Sequence, residues 1–155
     1  MVYQIDQSGK VEDTARNTVL ALCNGSKRTV LITAQTKREL QERFRIAEMP
    51  RRFVYLSFVA GLFYLLEHLK QVKTIIIDTE YPGHEESIGK MLANLLAEYD
   101  KPKHTIRFAR IGNRPKVHYL AKDVFDKKKK ADRILGIKGM LKVIKKTDGR
   151  LRECF

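Results

Sequence analysis

A chain of 155 residues is long enough for one domain with a hydrophobic core that needs no metal or disulfide to hold it. Its hydrophobic share of 43% is ordinary, whereas 32% charged residues and a net charge of +13 are high, and they point away from a membrane protein. Cys23 and Cys154 form no CxxC pair, which excludes a zinc ribbon or a disulfide framework.

Met1 to Asp6 has no signal-peptide character, so a soluble cytoplasmic protein is expected. Val2 to Asp6 reads as a short strand that ends in an acid, and Gln7 to Lys10 as a turn. Thr18 to Cys23 is β-rich, Asn24-Gly25 is a hairpin signal, and Arg28 to Thr33 is the returning strand, which predicts a three-stranded antiparallel meander. Thr36 to Glu48 has helical composition and Pro50 ends it. Arg51 to Gln71 is predicted as a longer helix, apolar nearly all round and hence buried. Its apolar stretch, Phe53 to Leu66, is 14 residues and includes Ser57 and Gly61, too short to span a bilayer.

Val72 to Ile77 is the most apolar strand and is expected to be central, covered on both faces. Glu85 to Tyr99 predicts an amphipathic helix, Thr105 to Ile111 a fifth strand, and Val117 to Lys128 a further helix. Past Asp126 the composition changes. Residues 127–155 hold eleven Lys/Arg against three Asp/Glu, a net +8, whereas residues 1–126 hold twenty against fifteen, a net +5. That asymmetry suggests an anionic partner, nucleic acid being the commonest, although a solvated thermostable surface would also be rich in charge. Ile134, Ile137, Leu141 and Ile144 recur at helical spacing, interrupted by Gly136 and Gly139.

Asp6 ends the first predicted strand, Asp78 ends the fourth, and Asp123 sits on the helix after the fifth. Carboxylates at the ends of buried strands are costly unless something positive meets them. Adjacent parallel strands would bring Asp6 and Asp78 within about 5 Å of each other. A bound Mg²⁺ or Mn²⁺ would offset that repulsion, because hard cations prefer carboxylate oxygens. Each acid also has a plainer reading: Asp6 and Asp78 can initiate turns, and Asp123 can be a solvated helix residue.

Ile5-Asp6-Gln7-Ser8-Gly9, Ile77-Asp78-Thr79-Glu80 and Gly112…His118-Tyr119-Leu120-Ala121-Lys122-Asp123 together resemble the ribonuclease H-like superfamily, which includes ribonuclease H and RuvC-type Holliday-junction resolvases. The resemblance covers roughly residues 2–126 and rests on element order plus three acids. It implies an α/β fold with a mixed five-stranded sheet and helices on both faces. It also implies a divalent-metal-dependent endonuclease that hydrolyses phosphodiester bonds in RNA, an RNA–DNA hybrid or a DNA junction. Asp6, Asp78 and Asp123 would hold the metal, with Glu80 as a fourth catalytic carboxylate. The family's glutamate on the first long helix has no clear counterpart among Glu39, Glu42 and Glu48, and Glu80 or Glu85 would have to replace it.

His84 and His118 are candidates to move a proton or touch a phosphate, while His68 and His104 read as structural. Arg110, Arg114 and Lys116 flank the loop before the last acid-bearing helix and, with Lys127, Lys128, Lys129 and Lys130, are expected to grip a phosphate backbone. The domain is thus expected over residues 1–126, with a basic extension over 127–155. The rival readings are a catalytically silent nucleic-acid-binding module of the same fold, and a chain whose tail docks on a protein or RNA assembly. A junction resolvase would also be expected to form a homodimer.

Overall fold

The computed structural model, which describes residues 2–112 and 115–152, is an α/β protein with a six-stranded mixed sheet and five α-helices. Strands β1 (Val2–Ser8), β2 (Thr18–Cys23) and β3 (Arg28–Ile32) pair antiparallel in succession. Asn24 takes the left-handed conformation expected of a hairpin, with φ 73°. Gly25 serves a different need: a Cβ there would collide with the ring of Tyr3. Strand β4 (Thr74–Asp78) pairs parallel with β1, and β5 (Thr105–Ala109) pairs parallel with β4, as the meander and helical crossovers predict.

The sheet order is β5-β4-β1-β2-β3-β6, one strand more than expected. The sixth, β6 (Arg133–Leu135), comes from the basic segment and lies parallel to β3. Its register is clamped by Asp132, whose carboxylate accepts the Thr29 backbone N–H at 2.7 Å while its own N–H donates to Thr29 Oγ1 at 3.0 Å. Three residues with Arg133 and Ile134 exposed carry too little alternation to read as a strand.

Alternation sorts the strands between two apolar layers. Ile5, Leu20, Leu22, Val30, Ile32, Ile75 and Ile77 face the main core with helices α1 (Ala34–Ile46), α2 (Arg52–Leu66) and α3 (Glu85–Glu98). Val19, Ala21 and Cys23 face the other way and meet Val117, Ala121 and Val124 of α4 (Lys116–Phe125). Helix α4 packs mainly on β1 and β2 and more lightly on β3. On the same face Thr105, Arg107 and Ala109 of β5 are exposed and Ile76 of β4 is only half-buried. Strand β4 is therefore central in the sheet but covered fully on one face alone.

Helix α2 is buried almost all round, as its composition predicts. The sheet lies on one side, where Gly61 fits against Leu20 and Ile32. Helix α5 (Ile137–Thr147) runs antiparallel over the other side and touches α1, α2 and α3. Tyr64 near the end of α2 donates to the Gly139 carbonyl at 2.6 Å, and Arg52 at its start pairs with Asp148 at 3.4 Å. Leu135, Met140, Val143, Ile144 and Leu151 join the main core. The segment expected as an extension after Asp126 thus belongs to the domain as far as Leu151. Among the described residues no helix is long and apolar enough to cross a membrane.

Candidate functional site

The register Ile5↔Ile77 between β1 and β4 brings the next residue of each strand, Asp6 and one step on Asp78, to one edge on the α4 face of the sheet. Glu80, two residues past Asp78, joins them. One carboxylate oxygen from each of Asp6, Asp78 and Glu80 lies within 4.8 Å of the others. These three line an open cleft of about 560 Å³ with Gln7, Arg110 and His118.

Asp6 and Asp78 are held by backbone and by α4. Asp6 accepts the Gln7 N–H at 2.8 Å through Oδ1, and its Oδ2 lies 3.2 Å from His118 Nδ1. Asp78 Oδ1 accepts the Ile111 N–H at 2.9 Å, which ties the end of β4 to the loop after β5. Beside them Gln7 Nε2 donates to Tyr81 Oη at 3.2 Å. Gly9 makes the turn after Asp6 with φ 80°, pressed between the Asn17 carbonyl and the Phe125 ring, so that no side chain fits.

The electrostatics are those of crowded, half-desolvated carboxylates. Burial raises the Asp6 pKa, and the Asp78 charge adds to this against the hydrogen bonds from Gln7 and His118. Glu80 is pushed up to about 7 by burial first, then by the charges of Asp78 and Asp6, and its protonated form hydrogen-bonds Asp78. Burial and two neighbouring carboxylates thus both disfavour a full set of negative charges in this cluster.

Of the acids expected from sequence, Asp6, Asp78 and Glu80 converge and Asp123 does not join them. On α4 the buried stripe is Val117, Ala121 and Val124. His118 lies on one flank of that stripe and Asp123, 500° further round the helix, on the other. His118 occupies the place on α4 expected for the third acid. Glu39, Glu42 and Glu48 are exposed on or just after α1 and take no part. Glu85 turns back to accept the Gly83 N–H at 2.9 Å. His84 stacks on Tyr55, with ring centroids 4.2 Å apart, and its Nε2 meets the Tyr55 hydroxyl at 3.1 Å.

Arg110 lines the cleft and Lys116 opens α4 beside it, both exposed. Arg114 lies outside the described residues, as does Cys154. Lys127, Lys128, Lys129 and Lys130 sit past the far end of α4, roughly 15 Å from His118 at 1.5 Å per residue. There the N–H groups of Lys128 and Lys129 donate to the Asp123 carbonyl and close the helix, and the side-chain charges suit its negative end. Gln7 was not legible as a cleft residue, because an isolated glutamine after an acid carries no motif.

A scan against protein-family models finds no match to this chain, and neither does a search of curated proteins.

Proposed function

We propose that the protein is a divalent-metal-dependent endonuclease of the ribonuclease H-like type, acting on structured nucleic acid. The observation that carries this reading is the convergence of Asp6, Asp78 and Glu80 within 4.8 Å at one end of the parallel pairing of β1 with β4. The order of elements from β1 to α4 supports it, with a meander followed by two parallel crossover strands. The donor set fits Mg²⁺ or Mn²⁺: it is all carboxylate oxygen, it is partly open, and its three acids crowd one another so that a cation would relieve their repulsion. A bound ion would supply Lewis-acid stabilisation of the charge that develops on the phosphodiester.

The chain's own residues have separable tasks in this reading. Asp6, Asp78 and Glu80 hold the ion. The Asp6 carboxylate fixes the His118 ring through Nδ1, which leaves Nε2 to exchange a proton with the attacking water or the leaving oxygen. Arg110 and Lys116 hold the phosphate backbone against the cleft.

The test is Mn²⁺ titration by calorimetry with wild-type protein and Asp6→Asn, paired with cleavage of double-stranded RNA, an RNA–DNA hybrid and a four-way DNA junction. Saturable binding and cleavage of at least one substrate are expected, both lost in the variant. Salt-sensitive nucleic-acid binding with no metal uptake and no cleavage would leave the silent binding module as the correct reading.

A further inference from the structure

We infer that the outer face of α5 is a second nucleic-acid contact surface, on the opposite side of the molecule from the acidic cleft, and that it takes a separate segment of the same substrate. The inference rests on the nucleic-acid part of the proposed function and is independent of cleavage.

Helix α5 is amphipathic in a clear-cut way. Met140, Val143 and Ile144 point into the core. Lys138, Lys142, Lys145 and Lys146 fall within about 100° of arc on the opposite side. With Arg152 they line one shallow groove of about 580 Å³ that contains no acidic residue. Among the described residues none of these five cations forms an ion pair; the nearby Asp148 is engaged by Arg52 and Arg150. Because α5 is anchored on α2 at both ends, the cations are displayed on a fixed scaffold and not on a loose tail.

The chemistry selects the occupant. A row of unpaired cations on a rigid helix matches a phosphate backbone. A membrane surface fits less well, because the helix has already spent its apolar face on the core and only Leu141 is apolar in the groove. The placement selects the geometry. Sheet, α2 and α5 separate the groove from Asp6 by roughly 20 Å, at 8–10 Å per layer. Double-stranded nucleic acid is stiff over about 150 bp, so one straight arm cannot lie in the cleft and also reach round to α5. A junction, or a folded RNA with two arms, can.

The decisive comparison uses the full chain with Lys138, Lys142, Lys145 and Lys146 all changed to Gln, against wild type, without divalent metal. Binding is measured to a four-way DNA junction, to a folded two-arm RNA and to linear duplexes of the same length, across a salt series. For a branched substrate the expected result is at least about tenfold weaker binding, with the slope of log affinity against log salt shallower by about 3 to 4. Linear duplex affinity should change much less, and the melting temperature should stay unaltered. Unchanged affinity and salt slope on every substrate would overturn the inference. Equal loss on linear and branched substrates would overturn its two-segment part, and a loss seen only with phosphatidylserine vesicles would replace nucleic acid by a lipid surface. Cleavage by wild type, assayed separately with Mn²⁺, reports on the acidic site alone, so either reading can fail without the other.

Discussion

Glu80 is the side chain in which the physics of the cleft is most readily measured. Its folded pKa of about 7 lies above the ordinary 4.5, so the folded protein binds this proton more tightly than the unfolded chain does. The associated stability is fully present below pH 4.5 and is lost as pH rises through about 7. Metal-free Glu80→Gln should therefore melt higher than wild type at pH 8 and equally at low pH, as calorimetric scans would show. Mn²⁺ should erase the difference at pH 8, and its affinity for wild type should rise about tenfold per pH unit up to the Glu80 pKa, since protons and metal compete. A second comparison separates the acids. Asp6→Asn should abolish cleavage while nucleic-acid affinity holds or increases, because a negative charge leaves the cleft. Asp123→Asn should change cleavage by no more than about twofold, in line with the ±0.5 kcal/mol typical of surface substitutions. Single-turnover rates and filter binding on the same preparations decide both.

At the level of elements, the loop between β1 and β2 is organised by one buried ammonium. Lys37 of α1 is fully buried and donates to the carbonyls of Lys10 and Asp13 at 3.0 and 2.6 Å and to Thr18 Oγ1 at 3.0 Å. Burial draws its pKa down to about 8, so it remains mostly protonated at neutral pH. Lys37→Met should cost about 2–4 kcal/mol in urea unfolding, because three oxygens lose a charged donor. It should also weaken Mn²⁺ binding, since this loop follows directly from Asp6. None of this was legible beforehand: a lysine on a helix is normally solvated, and only the packing of loop residues 24 and 27 positions away makes it otherwise. The meander, the parallel β4 and β5 and the acid at the end of β4 were legible, because period-two alternation, Asn24-Gly25 and a strand-terminal aspartate are local signals; the turn expected at Gln7 was not, since β1 runs past Asp6 to Ser8 while Gln7 and Ser8 still pair with β2. Asp123 misled for the converse reason. Sequence order puts it on the right helix, but 3.6 residues per turn puts it on the wrong flank, and His118 five positions earlier has the contact with Asp6. β6 escaped because its pairing with β3 is set by Asp132 and Thr29, residues 103 apart.

For the whole molecule, the basic segment is as much core as charge. Leu135, Met140, Val143, Ile144 and Leu151 are all buried to within 1% exposure. At about 1.5–3 kcal/mol each they contribute an amount comparable with the entire stability of an ordinary domain, about 5–15 kcal/mol. A chain ending at Asp126 should therefore lose its cooperative thermal transition and bind a hydrophobic dye. Sharp melting of the shortened chain within a few degrees of wild type would show that α5 is dispensable and that α2 tolerates water. The quadruple lysine variant, which touches no core residue, should melt as wild type does.

The cover that α5 lays over α2 has a consequence for the order in which the protein is made. Helix α2 is complete when Leu66 has been synthesised, but its outer side stays bare until Ile144 follows. At about 5–20 residues per second that interval lasts about 4 to 16 s on the ribosome. Throughout it the most apolar helix of the chain has no partner on that side, and the native contacts that will cover it are the most distant in sequence that α2 makes. Newborn chains should thus be open to capture by chaperones late in translation, and a stalled or truncated message should yield aggregates in place of a smaller folded domain.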